Sequence, residues 1–200
     1  MEIKNGMIVD FEEGDKNLVI PKDAQGVDYA VYNLMGVEGF DSITVEEGNE
    51  HFYMQDGCLI WRDKKALVLA VKGGKIPDDG SVTQIAGGAF MYREECKEIE
   101  IPACIKKIGY CAFSNTGLEK VILNEGLEIL DGYAFANIDS LRELAIPKSV
   151  KKIVKYKLLE NTPLITELGY KNKTYTVYKN SYAHGWVKRN KLTYRLRGKE

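Results

Sequence analysis

Two histidines and four cysteines are the groups in this 200-residue chain from which catalysis would most readily be assembled. His51 and His184 lie far apart, and no GxSxG, HExxH, Walker-type or dinucleotide-binding glycine pattern accompanies them. Cys58, Cys96, Cys104 and Cys111 are separated by 38, 8 and 7 residues, so none forms the close pair used by zinc sites and redox motifs. Reduced thiols packed as small apolar groups are the simpler reading. A thiol pair at Cys104 and Cys111, or a metal site completed by His51, is the rival, and the sequence supplies no further ligands for it. Glu98 and Glu100 alternate along an extended stretch, which suits paired carboxylates for acid–base work and equally suits a solvated strand face. The chain is read as a non-enzyme, with no catalytic residue, metal ligand or cofactor assigned.

Binding chemistry is better supplied. The formal net charge is −1, but residues 1–147 carry 14 basic against 26 acidic side chains and residues 148–200 carry 14 against 3. In the basic quarter Tyr156, Tyr170, Tyr175, Tyr178, Tyr182, Trp186 and Tyr194 are interleaved with Lys171, Lys173, Lys179, Lys188, Arg189, Lys191, Arg195 and Arg197. Cations among aromatics suit an anionic polymer, nucleic acid included. The same composition suits a closing segment whose aromatics cover a core and whose lysines keep it soluble.

The elements that position these residues emerge from an internal repeat. Ile85, Ile108, Leu130 and Ile153 are separated by 23, 22 and 23 residues, a fixed period that marks a solenoid of stacked coils. Between them recur Cys96-x-x-Ile99-x-Ile101, Leu118-x-x-Val121-x-Leu123 and Leu141-x-x-Leu144-x-Ile146, the spacing of a leucine-rich repeat strand. Pro102 and Pro147 end two of these strands, having no backbone N–H to extend a ladder, while Asn124 breaks the pattern in the middle coil. The chain then turns to Ile105, Leu127 or Val150, and the inward Ile108, Leu130 and Ile153 follow. Ala89-Phe90, Ala112-Phe113 and Ala134-Phe135 should stack as three layers. In the next coil the pair becomes Lys157-Leu158, and a lysine in a buried slot is costly, so the regular solenoid is expected to end there.

These residues carry a resemblance. "LRELAIPKSVKKI" and "LEILDGYAF" resemble the bacterial BspA-like leucine-rich repeats, whose unit reads roughly LxxIxIPxxVxxIGxxAFxxC. "NGMIVDFEEGDKNLVIP" (5–21) is similar to the opening hairpin of such proteins, and "NEHFYMQDGCLIWRDKKALVLAV" (49–71) to their hairpin insertion. "YTVYKNSYAHGWVKRNKLTYRL" (175–196) is similar to their closing strand, short helix and last strand. Residues 22–48 depart from the unit. Local chemistry agrees: Asn5-Gly6 and Asp56-Gly57 favour two-residue hairpin turns, and Asn180 or Ser181 can cap a helix with Ala183, Trp186 and Val187 on one face, weakened by Gly185.

The expected fold is a single mainly-β leucine-rich-repeat solenoid, with an N-terminal cap over 1–24, a degenerate repeat and hairpin insertion over 25–81, regular repeats over 82–158, and a C-terminal strand-helix-strand cap over 159–200. Its outward strand residues form columns, Glu98, Lys120 and Glu143 in one and Glu100, Ile122 and Ala145 in the next. That face, with Asn124, Arg142 and Lys148 beside it, is read either as cross-strand charge pairing or as a shallow site for a protein or polymer. The expected function is a non-catalytic, adhesion-type binding scaffold for a macromolecular partner. The class implies surface interaction proteins, although "MEIKNGMIVDFEEGDKN" has charges where a signal peptide carries its apolar stretch. A cytoplasmic place follows for the chain as written, and a surface or secreted one if it is processed. No run of residues is apolar and long enough to enter a membrane as a helix. The alternatives are a polyanion binder acting through Lys188, Arg189, Lys191, Arg195 and Arg197, which would also support weak salt-sensitive self-association, and a thiol or metal enzyme.

Overall fold

The computed structural model describes residues 2–10, 16–28, 40–154 and 172–198. Strands β1 (Glu2–Lys4) and β2 (Met7–Asp10) form an antiparallel hairpin. Its turn puts Asn5 and Gly6 at φ 52° and 76°, the left-handed region that asparagine tolerates and glycine occupies without cost. The coil pattern begins at once. Strand β3 (Asn17–Ile20) pairs in parallel with β5 (Ser42–Val45), and β2 pairs in parallel with β4 (Gly26–Val27). Leu18 and Ile20 point inward and are buried, while Asn17 and Val19 face solvent. Residue 24 lies in the turn between β3 and β4, inside this coil, and β5 opens the next one.

The second hairpin, β6 (Phe52–Gln55) and β7 (Cys58–Trp61), turns at Asp56 and Gly57, again with both φ values positive at 50° and 74°. Strand β8 (Ala66–Ala70) follows and joins a sheet containing β9 (Gln84–Ile85), β11 (Lys107–Ile108), β13 (Ile129–Asp131) and β15 (Lys152–Val154). The seven strands run in the order β15-β13-β11-β9-β8-β7-β6. Leu67, Ile85, Ile108, Leu130 and Ile153 stand in register across the parallel part. The repeat period of the sequence is therefore the strand-to-strand step of this sheet.

On the other side of the coils lie β10 (Glu98–Ile101), β12 (Lys120–Leu123), β14 (Glu143–Ala145), β16 (Thr174–Val177) and β17 (Tyr194–Leu196). Helix α1 (Tyr182–Arg189) sits between the last two, with Ser181 Oγ accepting from His184 N at 3.1 Å. Ala183, Trp186 and Val187 are its buried face. Ser181 is thus the cap, and Asn180 instead takes the left-handed turn before it, at φ 63°.

Between the sheets, Phe90, Phe113 and Phe135 form a column with 5.0 Å between successive ring centroids. All three rings are buried. Such aromatic pairs add about 0.5–1.5 kcal/mol to the value of the buried area. The coils pack closely at Gly109, where a Cβ atom would stand 2.7 Å from Gly87 N. A second, smaller core joins the N-terminal coils to the hairpin through Phe40, Phe52, Leu59, Trp61 and Val68. Lys157-Leu158, the expected end of the regular coils, lies outside the described residues.

Candidate partner-binding surface

The outward face of β10 and β12 carries its charges in pairs. Glu98 stands directly opposite Lys120 in the parallel ladder, and the two side chains form an ion pair. Glu100 is opposite Ile122, and its carboxylate accepts from Asn124 Nδ2 at 2.7 Å. The asparagine that replaces proline at the end of β12 therefore binds the neighbouring coil through its side chain. Glu98, Glu100 and Lys120 are exposed and Ile122 is half-buried.

The column of alternating charge does not continue as expected. β12 and β14 lie side by side without a ladder, so β10-β12 is one sheet and β14-β16-β17 another. Ser140 Oγ donates to Leu118 O at 2.6 Å beside this break. Glu143 does not extend the Glu98–Lys120 column. Its carboxylate meets Arg195 Nη1 at 3.0 Å, both side chains being well exposed. Arg142 is exposed, and its carbonyl accepts from Thr174 N at 2.8 Å. Glu143 and Ala145 stand in register with Thr174 and Thr176, which prolong the face toward the C-terminus. Those two threonines were not singled out from the sequence, and the Thr-Tyr-Thr-Val alternation is the signal that marks them.

Lys148 N and Ser149 N both donate to the Glu125 carboxylate at 2.9 Å, which holds that carboxyl below its usual value even though burial opposes the shift. The bonds tie one turn to the next at the edge of the face.

The basic quarter divides into a buried and an exposed part. Lys173 is 5% exposed, and its Nζ donates to Ile138 O at 3.2 Å. Burial pushes this ammonium down to about 8, against the pull of Asp139. Tyr175 and Trp186 pack edge-on at 5.5 Å in the core. Lys173, Tyr175 and Trp186 are therefore structural, since the closing coil must cover the apolar layer beneath it. Lys188, Arg189, Lys191, Arg195 and Arg197 are all exposed. Lys188 and Arg189 occupy the last turn of α1, where cations complement the helix dipole. Arg189 lies over the Tyr182 ring at 5.7 Å and Arg197 over the Tyr178 ring at 5.3 Å. Tyr156, Tyr170 and Lys171 lie outside the described residues.

The thiols and histidines do not converge on one place. His51 Nδ1 is 2.7 Å from Asp63 Oδ2, Cys104 Sγ points to Pro77 O, and His184 Nδ1 accepts from Asn180 N at 3.2 Å. Burial pushes Cys58 up to about 12 and Cys111 up to about 11, the opposite of what a nucleophilic or metal-bound thiolate needs. Among the described residues no group of three or more His, Cys, Asp or Glu side chains is placed to hold a metal.

The family model for the BspA type leucine rich repeat region matches residues 71–185 in 6 copies. The chain belongs to that family. Among solved structures, the BspA-type chain is similar to the pneumococcal vaccine antigen PcpA, at 20% identity and a TM-score of 0.64, over 96% of this chain and 60% of that one. It is also similar to a leucine rich cell surface protein from Faecalibacterium prausnitzii, at 17% identity and a TM-score of 0.64, over 92% of this chain and 48% of that one. The BspA-type chain thus spans about half to three fifths of those two chains. No curated protein matches it. Members of such repeat families use stacked coils to present an extended surface to protein partners. Among the described residues, no helix is long and apolar enough to cross a membrane.

Proposed function

We propose that this domain is a non-catalytic, adhesion-type binding module whose contact surface is the outward face of β10, β12, β14 and β16. The observation that carries the reading is the alignment of Glu98, Glu100, Lys120, Ile122, Arg142, Glu143, Thr174 and Thr176 along one side of stacked coils. Their backbones are held by the core, so a partner meets a pre-formed surface and little ordering entropy is lost on contact. The mixed charges favour a protein with complementary charge over a uniformly charged polymer. Burial of Trp186 and Tyr175 leaves the C-terminal segment fewer rings for stacking on bases than its composition suggests, which weakens the polyanion reading. The resemblance to a cell surface protein supports a place at the cell surface.

The test compares the wild-type domain with a Glu98→Lys, Glu100→Lys, Lys120→Glu variant as bait in the native cell's extract, with mass spectrometry of what is captured. Loss of one and the same protein from the variant, at unchanged melting temperature, supports the face. Equal capture by both baits overturns it.

A further inference from the structure

The sheet on the other side of the coils from the strand face carries one sign of charge. Gln84, Lys107, Ile129 and Lys152 stand in register on β9, β11, β13 and β15. Each precedes an inward residue, Ile85, Ile108, Leu130 or Ile153, so by the alternation of a strand its own side chain points outward. The residues one step earlier form a second column through backbone bonds. Thr83 N donates to Lys65 O, Lys106 N to Thr83 O, Glu128 N to Lys106 O and Lys151 N to Glu128 O. Lys65, Lys106, Lys107, Lys151 and Lys152 are all exposed. Cations therefore recur on every second strand, at β8, β11 and β15. With neighbouring strands about 4.8 Å apart, their repeat is about 10 Å.

The gaps separate this strip from ordinary charge pairing. On the strand face Glu98 stands against Lys120, the arrangement that stabilises a ladder. Here the outward gaps hold Gln84 and Ile129, which are uncharged. The second column contains one carboxylate, Glu128, and it is held by Lys151 Nζ at 3.0 Å. Lys106 Nζ donates to Ala103 O at 3.3 Å. Among the described residues no carboxylate forms an ion pair with Lys65, Lys107 or Lys152.

We propose that this strip binds a linear acidic polysaccharide carrying one carboxylate or sulfate on every second sugar. A pyranose unit is close in length to one strand spacing, so such a chain laid across the strands sets its anions over the lysines and its uncharged sugars over Gln84 and Ile129. The Gln84 amide can hydrogen-bond sugar hydroxyls, and the half-buried Ile129 offers an apolar surface to a ring face. Bonds from ammonium groups to carboxylate or sulfate oxygens are charge-assisted and strong for their kind. The spacing disfavours nucleic acid, whose phosphates, at about 3.4 Å per strand of a duplex, would put charges into gaps that hold no cation. The strip and the strand face proposed above lie on different sheets, so either can fail without the other.

Fluorescence anisotropy of labelled hyaluronan oligosaccharides, which carry one carboxylate per disaccharide, tests the proposal. Salt is held at about 0.1 M, so that charges beyond about 10 Å of the ligand are screened. Lys65→Gln, Lys106→Gln, Lys107→Gln and Lys152→Gln together should weaken binding roughly tenfold or more, because several exposed ion pairs are lost at once. Lys188→Gln, Arg189→Gln, Lys191→Gln and Arg197→Gln together remove the same charge from the C-terminal segment and should weaken it far less. Equal loss in the two variants overturns the proposal, as does a wild type that does not bind. Tighter binding of a single-stranded oligonucleotide of equal charge also overturns it and assigns the strip to nucleic acid. A second measurement needs no variant: acetylation of wild-type lysines with and without the oligosaccharide, read by peptide mass spectrometry. Lys65, Lys106, Lys107 and Lys152 should be protected, and protection of Lys188 and Lys191 in their place overturns the assignment.

Discussion

Arg195 reaches across strand β16 to place its guanidinium 3.0 Å from the carboxylate of Glu143. The contact fastens the closing strand to the last regular repeat from outside the core. Both groups are exposed, so its value is small: a double-mutant cycle with Glu143→Gln and Arg195→Gln should give a coupling of about 0.2–1 kcal/mol. Raising the salt should shrink that coupling. A coupling unchanged by salt would show that the two side chains interact through packing.

Phe113 is held between two rings at 5.0 Å on either side. Phe113→Ala should destabilise the domain by about 3–5 kcal/mol, the cost of deleting a core aromatic and leaving a cavity. Against a stability of about 5–15 kcal/mol that is severe. Denaturant unfolding of wild type and variant measures it.

The thiols should divide by rate. Cys58 and Cys111 are buried, with their pKa values pushed up to about 12 and 11. Cys96 and Cys104 are half-buried. Alkylation with iodoacetamide near pH 8, followed by peptide mass spectrometry, should label Cys96 and Cys104 first. Cys58 and Cys111 should react only as the fold opens.

Lys173 sets a pH dependence of definite sign. Its folded-state pKa, about 8, lies below the ordinary lysine value of 10.5. Between those values the unfolded chain binds more protons, so this group's contribution to stability rises with pH across that window and is lost as pH falls through the folded value. The cysteines oppose it above about pH 9, because their folded pKa values are raised. Comparison with Lys173→Met removes that overlap. The melting temperature of the variant minus that of wild type should fall steadily from pH 7 to pH 10, and a flat difference would count against the buried charge.

The regular coils were legible in the sequence because closing a coil fixes its length. Ile85, Ile108, Leu130 and Ile153 repeat at the period of the parallel sheet, and the Ala-Phe pairs recur at the same step. Asn5-Gly6 and Asp56-Gly57 announced their hairpins because few residues tolerate positive φ. Residues 22–48 were harder, because the start of the coil at Leu18, Ile20 and Pro21 is masked by its continuity with the opening hairpin. On the candidate face one pairing was legible and another was not. Glu98 and Lys120 sit on neighbouring strands of one ladder, as the period implies. The Glu143–Arg195 contact spans a strand and has no spacing signature. Burial of Lys173 was hidden for a similar reason: which layer covers a residue depends on stacking between coils, not on its neighbours in the chain.

The missing ladder between β12 and β14 has a mechanical consequence. The opposite sheet runs unbroken through the same coils, with Ile129, Leu130 and Asp131 paired to Lys152, Ile153 and Val154. One side of the molecule is thus a continuous strap and the other a seam. The two plates of the strand face are joined along this line by side chains, Ser140 Oγ to Leu118 O and the Glu125 carboxylate to Lys148 N and Ser149 N, and by no ladder between β12 and β14. Amide hydrogen exchange reads the seam directly: Val121 and Leu123, whose N–H groups face β14, should exchange faster than Leu130 on the strap.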